Sequence, residues 1–158
     1  MNEADQIIRQ KSTSWEQKGV EEHIIKDILP SLLNATDLYH GALHLMNNSK
    51  VTIEPDFYSS SKKIIGEIHA HIGQLKPAQA HKIASDVLKL LLFERDFGIE
   101  MRKIIVVCSG QEKDQLEGQS NLAEALRQFG IEVLLVDVGS EWRMKLENAQ
   151  HRQKMKNA

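Results

Sequence analysis

IEPDFYSSSKKIIGEIHAHIG, residues 53–73, holds the pattern from which the fold and chemistry of this chain can be predicted. Asp56, which follows a proline, leads through a short polar turn into a β-type run at residues 63–69. That run carries Glu67 and, two residues later, the basic side chain of His69. Two carboxylates on neighbouring strands can hold a hard divalent cation, and a base beside them can act on a water bound to that ion. The stretch therefore predicts a strand pair with a cation-binding site.

Hydrophobic periodicity on both sides of this stretch predicts helices and strands that alternate along the chain. Ser14 and Gln17 form a capping box that opens a helix at Trp15, and Pro30 is expected to kink or end that helix. The later predicted elements are strands at 42–46, 51–58 and 62–71, a helix at 78–95, a strand at 104–108, a helix at 120–129, a strand at 133–138 and a helical tail. This order indicates an α/β fold in which helices pack on a mixed, partly parallel β-sheet.

The composition is that of one globular domain. The chain has 158 residues, of which 41% are hydrophobic and 27% charged. No apolar run approaches the roughly 20 residues that span a bilayer, and the polar start MNEADQIIRQ does not resemble a signal peptide. Cys108 is the single cysteine, which excludes an internal disulfide and favours a reducing cytoplasm as the compartment. The net charge of −2 provides no general attraction for nucleic acid, so any phosphate binding is expected from local patches.

The element order and the acidic pair together resemble the PD-(D/E)XK nuclease superfamily. Its shared core runs helix, three strands, helix, strand, with lysine usual at the last motif position. Here Asp56 after its proline matches the first half of the motif, and Glu67-Ile68-His69 matches the second half after ten intervening residues. The resemblance implies a single domain, 1–158. A restriction-endonuclease-like αβββαβ core with an αβ extension would occupy about residues 14–138. A basic helical tail would follow at 139–158, where five Lys and Arg residues face two Glu.

The resemblance also implies a metal site and its ligands. Asp56, Glu67 and the carbonyl of Ile68 would bind Mg²⁺ or Mn²⁺. In the family a glutamate of the first helix often points into this site, and Glu21 is the candidate here. It falls near the middle of an apolar helical stripe, where a carboxylate is costly unless something pairs with it.

The basic group of the predicted site departs from the family pattern. His69 stands where lysine is usual, and histidine is mostly neutral at pH 7 although it can accept a proton. In some members of the family the basic residue has moved to the following helix, which makes Lys82 a second catalytic candidate. Lys89 lies two turns further along and is expected to fall short of the same point. Both lysines also fit a salt-bridged solvent face.

Glu67, His69 and His71 allow a different kind of metal site. They occupy alternate positions, so on a strand all three side chains share one face. A carboxylate with two histidines suits Zn²⁺ or Mn²⁺. Alternate side chains on a strand stand about 6–7 Å apart, however, so three of them rarely converge on one ion. We therefore favour His69 in the role of the lysine.

Three functions are consistent with these residues. The leading one is a metal-dependent nuclease that acts on nucleic acid, DNA in preference to RNA, as a homodimer that supplies one active site per strand. The second is a catalytically inactive nuclease-like binding or assembly module, which His69 and the slight acidity favour. The third is a nucleotide-binding α/β domain, for which the Ser109-Gly110 turn after a buried strand argues, although the chain has no GxGxxG and no P-loop lysine pattern.

Overall fold

The computed structural model describes residues 15–157, in which helices cover both faces of a four-stranded mixed sheet. The helices are α1 (residues 15–32), α2 (Pro77–Phe97), α3 (Gly110–Leu116), α4 (Asn121–Gln128) and α5 (Ser140–Asn157). The strands are β1 (Leu43–His44), β2 (Thr52–Ile53), β3 (Phe57–Ser59), β4 (Ile64–His69), β5 (Arg102–Val107) and β6 (Ile131–Leu135). The predicted α/β class, with helices packed on a mixed sheet, is confirmed.

The main sheet runs in the order β3-β4-β5-β6 and separates two hydrophobic cores. β3 is antiparallel to β4, whereas β4, β5 and β6 are parallel. Along β4 the side chains alternate, so that Ile64 and Ile68 belong to the core with α1 and α5, and Ile65 belongs to the core with α2, α3 and α4. All six residues of β4 are buried. Polar side chains on this strand must therefore find partners inside the protein.

Helix α1 continues through Pro30 to residue 32. The preceding segment Ile24–Ile28 is a π-helical turn, and the N–H of Leu29 donates to the carbonyl of Ile24, five residues earlier. Such a turn widens the hydrogen-bond spacing just ahead of the proline, whose missing N–H cannot join the helical ladder. The disturbance expected at Pro30 is accommodated in this turn. Ser14, the predicted capping residue, lies outside the described residues.

The predicted strand at 51–58 is split into two elements. Thr52–Ile53 pairs with Leu43–His44 in a separate two-stranded sheet, and β3 begins only at Phe57. The break includes Pro55, which has no N–H to give to a ladder. It also includes Asp56, whose carboxylate Oδ2 accepts a 2.7 Å hydrogen bond from the N–H of Ile68. The three predicted strands therefore do not form one continuous sheet. Where β3 could have extended, the side chain of Asp56 accepts the hydrogen bond that a main-chain carbonyl would otherwise accept.

Two further boundaries differ from the sequence prediction. Helix α3 was not predicted, because its stretch GQEKDQL is short and mostly polar. The side chain of Ser109 caps it by accepting a hydrogen bond from the N–H of Glu112. Strand β6 ends at Leu135 instead of at 138, although Val136 and Val138 remain buried. The apolar run thus predicts the buried residues correctly but predicts a strand that ends three residues too late.

The basic tail forms α5 and packs against the sheet. Leu146 and Ala149 are buried, and Gln150 hydrogen-bonds both the N–H and the carbonyl of Ile72, each at 2.8 Å. Gln150 therefore pairs with the chain just beyond β4 much as a neighbouring strand would. Within residues 15–157, no helix combines the length and the apolar character that crossing a membrane requires.

Candidate functional site

Asp56 and Glu67 are brought together by the antiparallel pairing of β3 with β4. Phe57 pairs with Gly66, so one further step along the ladder sets Asp56 opposite Glu67. The two carboxyl groups lie close enough to share a hydrogen bond. Gly66 makes this approach possible, because a Cβ at that position would stand 2.1 Å from the ring of Phe57. The pairing of β3 with β4 therefore sets Asp56 and Glu67 side by side, and their role as metal ligands stays a prediction.

Glu67 is almost completely buried, and its surroundings disfavour its charge. Burial raises the pKa of Glu67 well above its usual range, and the hydrogen bond and the negative charge of Asp56 raise it further. Lys89 acts in the opposite direction. Two carboxyl groups in contact at a buried position are short of positive charge, which is the condition that a bound cation relieves.

Lys89 is the basic residue that reaches this cluster. Its Nζ forms an ion pair with Oε1 of Glu67, lies 3.3 Å from the carbonyl oxygen of Glu54 and stands 4.0 Å from Asp86 Oδ1. Lys82, the predicted candidate, is instead exposed and pairs with Asp86 at 3.5 Å. The expectation that Lys89 would fall short of this point was wrong, because helical spacing defines a face of α2 but not the point where β4 passes beneath it. The catalytic role of Lys82 stays a prediction.

Glu21 contributes a third carboxylate from α1. It is half-buried, and burial together with the negative charge of Asp56 raises its pKa to about 7. The positive charges of Lys82 and His40 oppose this rise. His40 also hydrogen-bonds the carbonyl of Asp56 through Nδ1 at 3.0 Å. The first-helix glutamate thus lies within electrostatic reach of the pair, and we refer to Glu21, Asp56, Glu67 and Lys89 as the carboxylate cluster.

The donor set of the carboxylate cluster fits a hard divalent cation. Asp56 and Glu67 offer carboxylate oxygens, and Ile68, next in sequence to Glu67, offers a carbonyl oxygen. Glu21 acts on Asp56 through its charge, because the three carboxylates do not come within 4.8 Å of one another in the part of the chain that the structure describes. Mg²⁺ and Mn²⁺ prefer such oxygen ligands. Burial is the main cause of the raised pKa of Glu21 and of Glu67, and the negative charge of Asp56 adds to both.

His69 does not join the carboxylate cluster. Its Nε2 lies 3.1 Å from Oε2 of Glu112, and Nδ1 of His71 lies 3.3 Å from Oε1 of the same carboxylate. One ligand atom from each of the three side chains lies within 4.8 Å of the others. His69, His71 and Glu112, which we call the His–Glu cluster, therefore form a group that can hold a metal ion.

Glu112 is the functional residue that sequence reasoning missed. The spacing of His69 and His71 indicated a site with a carboxylate, but Glu67 was assigned as the third member. Glu112 follows β5, and its Oε1 also accepts a hydrogen bond from Ser109 Oγ at 3.4 Å. Since β4 and β5 are parallel, residues that follow both strands meet at one edge of the sheet. That topological rule was the available signal.

Cys108 is a buried core residue. Burial and the nearby negative charge of Glu112 raise the pKa of its thiol to about 12, so the nucleophilic thiolate is strongly disfavoured. Ser109, in the turn considered for nucleotide binding, donates its hydroxyl to the carbonyl of Gly73 at 3.0 Å. The surroundings of Cys108 and Ser109 therefore indicate that both side chains stabilise the fold.

Comparison with known proteins adds no relative to this description. No protein-family model, no curated protein and no solved structure matches the chain. The two clusters on β4 must therefore be interpreted from their own chemistry.

Proposed function

We propose that this protein is a Mg²⁺- or Mn²⁺-dependent phosphodiesterase that hydrolyses nucleic acid and has a restriction-endonuclease-like core. The observation that carries the proposal is the meeting of the Asp56 and Glu67 carboxyl groups beside the ammonium group of Lys89. Two acidic ligands and one lysine are the parts of the PD-(D/E)XK motif. In this proposal the lysine comes from the following helix, and His69 is left free of that role.

The cation would be held by the carboxylates of Asp56 and Glu67 and by the carbonyl of Ile68. When bound, such an ion polarises the scissile phosphate and lowers the pKa of a water molecule at the site. Mg²⁺ usually uses one or two protein carboxylates together with substrate phosphate oxygens. Of the three carboxylates in the cluster, Glu21 is only half-buried and is therefore the one expected to act on the ion indirectly, without binding it.

Lys89 supplies the positive charge that the histidine at the motif position does not guarantee. A cation fixed beside the reacting phosphate stabilises the negative charge that develops there. The hydrogen bond from Lys89 Nζ to the Glu54 carbonyl holds the ammonium group in place. Its side chain remains 28% exposed, so a substrate phosphate has access to it. Low local solvation makes that charge more effective than it is in bulk water.

The substrate is nucleic acid under this proposal, with DNA preferred. Because the chain is slightly acidic as a whole, the backbone phosphates must be met by local basic groups. Exposed basic residues are concentrated on α5, which carries Lys154 and Lys156 in its last turn. Cutting both strands of a duplex requires two active sites, which a homodimer would provide.

The proposal is tested by hydrolysis of end-labelled single-stranded DNA, duplex DNA and RNA with Mg²⁺, Mn²⁺ or chelator. Wild type is expected to cut in the presence of the metal, and Glu67→Gln is expected to lose at least about 1,000-fold in rate, since a ligand and a charge are removed together. Glu124→Gln, at an exposed carboxylate on α4, is the matched control and should cut like wild type. Equal cutting by Glu67→Gln and wild type would remove the basis of the proposal.

An inactive nuclease-like binding module is the second candidate function. The observation in its favour is that His69, at the motif position of the lysine, contacts Glu112 and not the carboxylate pair. Such a module would bind nucleic acid and the metal without hydrolysis. Mobility-shift measurements on the same substrates therefore separate the candidates, because an enzyme gives metal-dependent products and an inactive module gives only a retarded complex.

A further inference from the structure

We infer that His69, His71 and Glu112 form a second metal site, separate from the carboxylate cluster, which binds Zn²⁺ or a divalent cation of similar softness. The three residues come from the end of β4, the residues just after it and helix α3. The carboxylate cluster is built around Glu67, two residues earlier on the same strand. The two sites therefore share a strand but no ligand.

Two donor separations in the His–Glu cluster are close to the edge length of a tetrahedral site. Two ligands about 2.0–2.1 Å from Zn²⁺ stand roughly 3.3–3.4 Å apart when they occupy two corners of a tetrahedron. The separation of His69 Nε2 from Glu112 Oε2 is 3.1 Å, and that of His71 Nδ1 from Glu112 Oε1 is 3.3 Å. One ligand atom from each of the three side chains lies within 4.8 Å of the others, which brings all three within reach of one ion.

Burial gives a second observation, because two polar atoms of the cluster are enclosed without a well-aligned hydrogen bond within residues 15–157. The Glu112 side chain is 0% exposed and that of His69 is 10% exposed. Nε2 of His69 and Oε2 of Glu112 are both buried without a hydrogen bond of good geometry among the described residues. Buried polar atoms are normally satisfied, and an unsatisfied one calls for a missing water or ion. These two atoms lie 3.1 Å apart, so an ion that binds both would sit to one side of the line that joins them.

The ligand types select the class of metal. Two imidazoles and one carboxylate suit Zn²⁺ and neighbouring transition metals, whereas Mg²⁺ prefers an all-oxygen environment. Three protein ligands leave the fourth position of a tetrahedral site for solvent or an anion. The same strand thus carries one cluster with oxygen ligands and one with nitrogen and oxygen ligands. We expect the first to prefer Mg²⁺ and the second to prefer Zn²⁺.

A metal in the His–Glu cluster would join α3 to the end of β4. Glu112 lies in the first turn of α3, which has seven residues and follows directly after β5. Since an ion that binds only the folded chain stabilises it by mass action, Zn²⁺ should raise the melting temperature. The effect belongs to the stability of the fold and does not depend on hydrolysis.

The inference is tested by calorimetric titration of Zn²⁺ into the full chain after treatment with chelator, alongside thermal melting. Wild type should bind one Zn²⁺ per chain in this cluster, and His71→Ala should weaken that binding by about 100-fold or more, because loss of even an indirect support costs 10–100-fold. His81→Ala removes an exposed histidine on α2 and should leave the binding unchanged. Zn²⁺ should also raise the melting temperature of wild type and of His81→Ala, but not that of His71→Ala.

Two further measurements keep the test decisive. Co²⁺ bound to wild type should give the strong visible absorption of tetrahedral coordination, which reports the site without any mutation. The double variant Asp56→Asn/Glu67→Gln should retain Zn²⁺ affinity within about 3-fold while losing Mg²⁺-dependent hydrolysis, so the two sites can fail separately. Absence of a one-to-one Zn²⁺ complex in wild type, or equal binding by His71→Ala, would show that the histidines only form ion pairs with Glu112 and would overturn the inference.

Discussion

The carboxylate cluster and the His–Glu cluster are built on the same face of one buried strand, yet their chemistry differs. Glu67 and His69 are two residues apart on β4, so the strand offers both side chains to the same layer of the protein. What distinguishes them is the partner each meets. Glu67 meets another carboxylate and a lysine, whereas His69 meets the carboxylate of Glu112. A strand therefore sets the spacing of a site, and the elements packed on it set its charge.

This difference also appears in the pKa of the two buried glutamates. Burial raises the pKa of Glu67, and Asp56 adds to the rise. Burial alone would raise the pKa of Glu112 as well, but His69 and His71 outweigh it and lower the pKa below its usual value. One cluster thus has an excess of negative charge, and the other has its carboxylate compensated by two histidines.

The largest effect is expected when the charge of Lys89 is removed. Lys89→Ala should lower the hydrolysis rate by about 100- to 1,000-fold, the usual loss when one preorganised charge or donor is deleted next to the reacting group. Lys82→Ala should cost less than about 5-fold, because its ammonium group is exposed and paired with Asp86. The measurement is single-turnover cleavage at saturating Mg²⁺. A larger loss for Lys82→Ala than for Lys89→Ala would return the catalytic role to the residue that sequence reasoning selected.

Much of this arrangement could be predicted from the sequence, because local patterns encode it. Asp56 and Glu67 were identified from a short motif on neighbouring strands, and Glu21 from its position in an apolar stripe. Lys89 and Glu112 could not be chosen in the same way. Their roles depend on where α2 crosses β4 and on the parallel pairing of β4 with β5, and both are properties of the packed sheet. Sequence patterns show which residues share one face of a helix or strand. They do not show at which point along that face a neighbouring element packs.

The strand boundaries show the same limit. The continuous strand predicted over 51–58 is interrupted, because Pro55 cannot donate and because the Asp56 side chain substitutes for a main-chain acceptor. β-Propensity favoured one strand there, but residues 54–56 are outside any strand, Asp56 forms a bend, and the pairing partner changes from β1 to β4. Pairing partners are set by tertiary contacts that propensity does not contain.

Gly66→Ala should damage the carboxylate cluster while it spares the His–Glu cluster. An added Cβ would stand 2.1 Å from the ring of Phe57, so β3 must move away from β4 and carry Asp56 with it. Overpacking of this kind typically costs 1–3 kcal/mol, and we expect about 3 kcal/mol of unfolding free energy here. Chemical denaturation measures the loss, and Mg²⁺ and Zn²⁺ titrations locate it. Loss of Zn²⁺ binding together with Mg²⁺ binding would mean that the two clusters do not respond independently.

The ion pair of Glu94 with Lys103 provides a reference for a buried charge pair outside both clusters. Lys103 Nζ lies 2.6 Å from Glu94 Oε2, with side-chain exposures of 7% and 23%. Burial alone would raise the pKa of Glu94, but hydrogen bonds from Lys103 and from the N–H of Met101 outweigh it and lower that pKa below 4.5. The pair therefore stabilises the fold above the unfolded-state pKa, and this contribution is lost as the pH falls through the lowered, folded-state pKa.

Glu94→Gln should accordingly cost about 2 kcal/mol at pH 7, somewhat less than the 3–5 kcal/mol for breaking a fully buried pair, because Glu94 is partly exposed. The variant should also lose less stability than wild type on acidification below about pH 4.5, where Glu94 of the wild type takes up a proton in the unfolded state before it does so in the folded state. Urea denaturation from pH 7 to pH 3 measures both effects. Glu132→Gln, in an exposed pair with Arg102, is the control and should cost under about 1 kcal/mol. Parallel acid curves for wild type and Glu94→Gln would contradict the assignment.

The smallest and most discriminating effect is a gain in stability on removing a charge from the carboxylate cluster. Asp56→Asn keeps an oxygen that can accept the hydrogen bond from Ile68 N–H, but it removes the negative charge that raises the pKa of Glu67 and of Glu21. An acid whose pKa is raised by folding costs stability above its unfolded-state pKa, so relief of that cost should stabilise the metal-free chain at pH 7 by about 1 kcal/mol. This corresponds to a rise of roughly 2–4 °C in melting temperature in chelator.

Glu112→Gln should shift the melting temperature in the opposite direction, because it removes the charge that compensates His69 and His71. If Asp56 destabilises the metal-free protein and is nevertheless kept next to Glu67, the arrangement is the one expected where a cation binds. A fall in stability on Asp56→Asn would instead show that the two carboxyl groups only stabilise the fold.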